Sequence, residues 1–171
     1  MSDSNKGNLS FTILGCGSSG GVPRLSDGWG ECNPNNPKNY RLRCSLLIKK
    51  NSQAGETKIL IDTSPDLRQQ LLTARVDNLD AVLFTHAHAD HMHGIDDLRM
   101  IYFKRKSRLP VWADQITSTR IKASFKYVFF NVHPSSPHNT ITADSYPYLS
   151  IEFCNLRNSN GIFSSAVPST F

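Results

Sequence analysis

The chain has 171 residues, 39% apolar and 19% charged, which fits one ordinary globular domain large enough to bury a core. Lys and Arg number 19 against 14 Asp and Glu, a net charge of +5. That mild excess does not by itself argue nucleic-acid binding, which is possible but not favoured. No apolar run approaches a membrane span, and the opening MSDSNKGNLS has no apolar core for a secretion signal. No membrane partner and a cytoplasmic location are therefore expected.

Taken in order, residues 1–8 read as a loose polar tail. Leu9 to Leu14 alternates as a strand does and runs into Gly15-Cys16-Gly17-Ser18-Ser19-Gly20-Gly21. This holds G-x-G-x-x-G, but a dinucleotide site needs a helix starting at the glycines. Val22-Pro23 and a loop rich in Gly, Asn and Pro follow instead, so a glycine turn passing close to the functional centre is expected. Residues 40–50 and 57–62 read as strands joined by a connection over 51–56. Ser64-Pro65-Asp66 then predicts a helix start, with Ser64 as N-cap and Pro65 at the first helical position. Leu67, Leu71 and Leu72 give that helix one apolar face.

Ala81-Val82-Leu83-Phe84 is a short continuous apolar run, the pattern of a strand buried on both faces. Four metal-competent side chains follow it within six positions: His86, His88, Asp90 and His91. His86 and His88 are two apart, so in extended chain both rings point the same way. Asp90 and His91 fall where the chain bends into a helix. Neutral imidazoles with a carboxylate suit zinc, manganese or iron, and a strand end holds them rigidly. His93 is expected behind these groups or facing solvent.

Ile95, Leu98, Ile101 and Tyr102 then recur at helical spacing. The basic run Lys104-Arg105-Lys106-Ser107-Arg108 reads as a solvated helix end, less readily as an attractor of phosphate. Leu109 to Ala113 is a strand, and Asp114 caps a helix carrying Ile121, Phe125, Val128 and Phe129. Beyond Asn131 the pattern is loop, broken by a strand at Tyr148–Phe153, and residues 158–171 form an irregular tail. Cys16, Cys32, Cys44 and Cys154 contain no C-x-x-C pair and read as free thiols. Cys32 is the one that could serve an accessory structural metal.

His86-x-His88-x-Asp90-His91 is the H-x-H-x-D-H signature of the metallo-β-lactamase superfamily. The stretch THAHADHMHGIDDLR, with ILGCGSSGGVPR, WGECNPNNPKNYRLRCSLLI and ILIDTSPDLRQQLL, resembles its cyclic-phosphodiesterase-like branch. The resemblance runs from Phe11 to about Trp112 and then fades. It implies an α/β layered fold, with residues 9–157 forming the N-terminal larger portion of an αββα sandwich. It also implies two divalent ions, zinc or manganese. His86 and His88 would begin one site, Asp90 and His91 the other, with Asp62, His93 and Gly94 in support and Asp90 also catalytic.

The activity implied is attack of a metal-bound hydroxide on the phosphorus of a small phosphorylated substrate. Transfer-RNA 3′ ends, thioesters and β-lactams are alternatives within the superfamily. The resembling proteins carry further ligands downstream: a His-Gly pair, a bridging aspartate and a last histidine. Here only His133 and His138 follow, and Asn160-Gly161 falls where the His-Gly pair would lie. A second expectation is therefore a shortened remnant that binds little metal or acts as an oligomerising module. Half a sandwich would leave an apolar sheet face bare, which a second copy could cover.

Overall fold

The computed structural model describes residues 8–130 and 147–153. The expected tail 158–171, with His133, His138, Cys154 and Asn160-Gly161, lies outside them. One six-stranded sheet organises the described residues, in the spatial order of the sequence. Its strands are β1 (Asn8–Gly15), β2 (Ser45–Ser52), β3 (Gly55–Ile61), β4 (Ala81–Leu83), β5 (Leu109–Ala113) and β6 (Leu149–Phe153). The first three pair antiparallel, and β3 to β6 pair in parallel. Asn8, placed by its polarity in the tail, is already the first residue of β1.

The β2–β3 hairpin is tighter than 51–56, because Ser52 already pairs with Gly55 and only residues 53 and 54 turn the chain. Gly55, at φ 127°, takes a backbone conformation closed to other residues at this turn. Among the described residues, the second half of the sheet is wound through five helices, α1 (Leu67–Thr73), α2 (Ala89–Met92), α3 (Leu98–Arg105), α4 (Gln115–Ser124) and α5 (Lys126–Phe129). Parallel neighbours need such crossovers, so the chain changes from hairpin to β–α alternation after β3.

One face of the sheet supplies Leu47, Leu60, Val82, Val111 and Leu149 to the core. Against them pack Leu67 and Leu71 of α1, Leu98 and Ile101 of α3, Ile121 of α4 and Val128 and Phe129 of α5. Leu72 departs from the expected apolar face and is 57% exposed. A seven-residue helix buries a narrow stripe, here Leu67, Gln70 and Leu71, and position 72 turns out of it.

Two further expectations are corrected. The first helix begins at Leu67 rather than at Pro65, because Asp66 is drawn away by Arg43. Ser64 still does a cap-like task there, its hydroxyl accepting from the Asp66 N–H at 3.1 Å. The helix capped by Asp114 does form, with Thr117 N donating to the carboxylate at 2.7 Å. It breaks at Phe125, whose φ of −127° and ψ of 45° leave the helical region, so Val128 and Phe129 belong to a separate turn.

On β1, Leu9, Phe11 and Ile13 are 53%, 62% and 69% exposed. Being two apart, they share one face and form an apolar stripe on the outermost strand. Among the described residues no helix is long and apolar enough to cross a membrane.

Candidate metal centre

β1, β3 and β4 all run in the same direction, so their C-terminal ends lie along one edge of the sheet. The polar residues that could do chemistry are gathered on that edge, where an α/β sheet commonly places its ligands. β4 ends at Leu83, and Phe84 still bonds to the neighbouring strand through Trp112 O at 2.8 Å. The chain then delivers Thr85, His86 and His88 in succession before α2 opens at Ala89 with Asp90 and His91 in its single turn.

The imidazoles converge. The His86 ring centroid lies 4.4 Å from that of His88 and 4.0 Å from that of His91. Asp90 Oδ2 lies 3.3 Å from His91 Nε2. Two donors bound at about 2.1 Å to one tetrahedral cation stand roughly 3.4 Å apart. The Asp90–His91 spacing therefore suits a shared ion.

Asp62, 2% exposed, stands under the cluster. Its Oδ1 accepts from Thr85 N at 2.7 Å, and its Oδ2 takes Thr85 Oγ1 at 2.6 Å and His91 Nδ1 at 2.8 Å. A carboxylate only accepts, so the His91 nitrogen facing it carries the proton and Nε2 keeps its lone pair. Thr85 spends its one proton on Asp62. Its oxygen then accepts from His86 Nδ1 at 2.9 Å, which frees Nε2 of His86 as well. One buried carboxylate thus sets the tautomer of two imidazoles, as partners behind metal ligands commonly do.

Asp62 is held in turn at a φ of 61°, left-handed and costly for a residue with a side chain. Its backbone N–H donates to Leu83 O at 2.8 Å, and Ser45 Oγ donates to its carbonyl at 3.0 Å. Thr85 was not singled out by sequence reasoning. Its signal was its place immediately before the first histidine, at the end of a buried strand.

Gly94 and His93 lie at the other end of α2. Gly94 N donates to Thr63 O at 2.9 Å, and a Cβ on Gly94 would stand 1.9 Å from Ser64 O. Only a glycine lets α2 approach the segment after β3 so closely. That approach, with Thr63 N donating to His91 O at 2.7 Å, fixes the helix over Asp62. His93 is exposed, and its ring meets Phe125 edge-on at 5.5 Å.

Nearby, Arg43 grips Asp66 with its backbone N–H at 2.8 Å, Nε at 2.9 Å and Nη2 at 2.5 Å. That guanidinium holds the Asp66 carboxyl below the usual carboxylate range. Burial pushes the Cys44 thiol up, and the carboxylates of Asp62 and Asp90 and the thiol of Cys16 add to the rise. The basic run is partly neutralised: Lys104 pairs with Asp77, and Arg105 with Asp80 at 3.6 Å.

The donor set fits a divalent cation in kind, and the tautomers fit it too. Among the described residues no three His, Cys, Asp or Glu side chains stand around one point ready to hold an ion, Cys32 included. The donors come instead in pairs.

A model of the beta-lactamase superfamily domain matches residues 57–164, more than half of the chain. Over 126 residues, 73% of the chain, it is 45% identical to an octanoyltransferase of Porphyromonas gingivalis, of which it covers 25%. It is 34% identical over 64 residues, 37% of the chain, to a ribonuclease Z of Deinococcus radiodurans, covering 19% of that protein. The chain therefore spans a quarter or less of these relatives. A crystal structure described as a new diphosphatase from the PhnP family superposes with a TM-score of 0.67 at 31% identity. That match covers 85% of this chain and 51% of the other. Zinc-bound PqqB from Methylobacterium extorquens superposes with a TM-score of 0.53 at 19% identity, covering 85% of this chain and 46% of that one. Both have the metallo-β-lactamase fold.

Proposed function

The chain belongs to the beta-lactamase superfamily, and from that premise we propose that it serves metal-dependent hydrolysis of a small phosphodiester or diphosphate. The observation that carries this reading is the pair of imidazoles, His86 and His91, whose Nδ1 protons are both committed to the Asp62–Thr85 network. A surface histidine has no need of such a fixed tautomer; a ligand does. Support also comes from the PhnP-family relative, which is described as a diphosphatase.

His86 with His88, and Asp90 with His91, would each begin a site for zinc or manganese. Divalent ions held there would acidify water and neutralise charge gathering on phosphoryl oxygens. The chain's own part is positional. Asp62 and Thr85 orient the rings, and Gly94 lets α2 close on Asp62. Asp90, half-buried beside His91, would orient an incoming water through its carboxylate. Octanoyl transfer is a different reaction, and that name belongs to a protein of which this chain covers only 25%.

A second reading, the remnant that binds little metal, is favoured by the donors coming in pairs among the described residues. Metal analysis of the purified chain after zinc or manganese loading separates the two, read beside hydrolysis of bis(p-nitrophenyl) phosphate. Near-stoichiometric ions with turnover support the hydrolase. A folded chain that retains almost no metal and no activity supports the remnant.

A further inference from the structure

A cavity of 530 Å³ opens at the same edge of the sheet, between the end of β1, residues 40–42 and α1. Its size falls within the few hundred to one thousand Å³ of small-molecule sites. Ile13 and Leu14 give it apolar walls, while Cys16, Tyr40, Arg41 and Gln69 give it polar ones. The lining carries one guanidinium and no carboxylate. Tyr40 is 60% exposed, so its ring is available as a flat surface. Arg41 Nη1 donates to Cys16 Sγ at 3.0 Å, which steadies the guanidinium and leaves other N–H groups of its fork for a ligand.

The cavity lies at the end of β1, on the edge that also carries the imidazole cluster. Gly15 pairs with Ser45 on β2, and Ser45 Oγ bonds to the Asp62 carbonyl on the far side of that strand. Two strand spacings make about 10 Å from Gly15 to Asp62. Cys44 directly precedes Ser45 in the chain, next to that pairing. A single substrate can span that distance if its phosphoryl group reaches the histidines and its remainder extends along the edge.

We propose that this cavity binds the organic half of the substrate, a planar ring bearing its own anionic group, with Tyr40 against the ring and Arg41 on the anion. This rests on the hydrolase reading for the identity of the ligand as substrate, but the binding itself does not require metal. The full chain, freed of metal, is titrated calorimetrically with adenosine 5′-monophosphate, with ribose 5-phosphate as the analogue lacking the planar ring and inorganic phosphate as the bare anion. The nucleotide is expected to bind, and the two comparison anions at least several-fold more weakly. Arg41→Gln should weaken the nucleotide about tenfold or more, the scale of a charge-assisted hydrogen bond. Arg41→Lys should recover part of that loss, and Tyr40→Ala should cost several-fold. Arg108→Gln, an exposed cation before β5 and outside the cavity lining, should stay within about twofold of the parent.

No nucleotide binding by the parent chain overturns the proposal. So does binding unchanged in Arg41→Gln, or binding lost as much in Arg108→Gln as in Arg41→Gln. Nucleotide binding with this mutational pattern in a chain that never hydrolyses a phosphodiester keeps the cavity and removes the hydrolase reading.

Discussion

Replacing Asp62 by Asn tests the centre most directly. The carboxylate accepts from Thr85 N, Thr85 Oγ1 and His91 Nδ1 at 2.6 to 2.8 Å. An asparagine can keep its oxygen on Thr85 N, but its amide then points donors at a hydroxyl proton and a ring N–H. Thr85 can rotate its proton away. His91 can answer only by moving its proton to Nε2, which removes the lone pair on the Asp90 side. Hydrogen bonds to a charged group contribute about 1.5–3 kcal/mol each. Removing a buried charge offsets part of the loss. A net cost of about 2 kcal/mol in urea denaturation is expected. Zinc affinity should fall by about 10- to 100-fold. Long-range nitrogen–proton NMR should show His91 changing from the Nδ1–H to the Nε2–H tautomer. A variant with parental stability and an unchanged His91 tautomer would refute the argument that Asp62 sets the ring.

Gly94→Ala should destabilise the chain by about 1–3 kcal/mol, since its Cβ would meet Ser64 O at 1.9 Å; a melting temperature equal to the parent's would show that α2 and residues 63–64 separate easily. Asp66→Asn breaks the Arg43 clamp and should cost about 1–2 kcal/mol at neutral pH. Because folding lowers the Asp66 pKa, its contribution is full above the ordinary value of 3.8 and lost as pH falls through the depressed folded value. The gap between parent and variant should therefore close in acid, and a constant gap between pH 7 and pH 2 would contradict it. The exposed stripe of β1 tests the expectation of self-association. Phe11→Lys with Ile13→Lys should shift the chain toward monomer in sedimentation velocity, and an unchanged distribution would count against that face.

Much of this molecule was legible in its sequence because local spacing dictates local geometry. A continuous apolar run gave β4, alternation gave β1, and the two-residue step from His86 to His88 brought their rings together. Asp114 announced its own helix. The tertiary structure decided what depends on partners distant in the chain. Arg43 takes Asp66 from 23 residues away and so delays α1. Asp62 meets His91 across 29 residues, and Gly94 is required only because the segment after β3 passes beneath it. Thr85 becomes a link between Asp62 and His86 only once β3 and β4 lie side by side. Period and spacing act through adjacent backbone, whereas orientation of a ring requires a carboxylate that sheet pairing alone carries into reach.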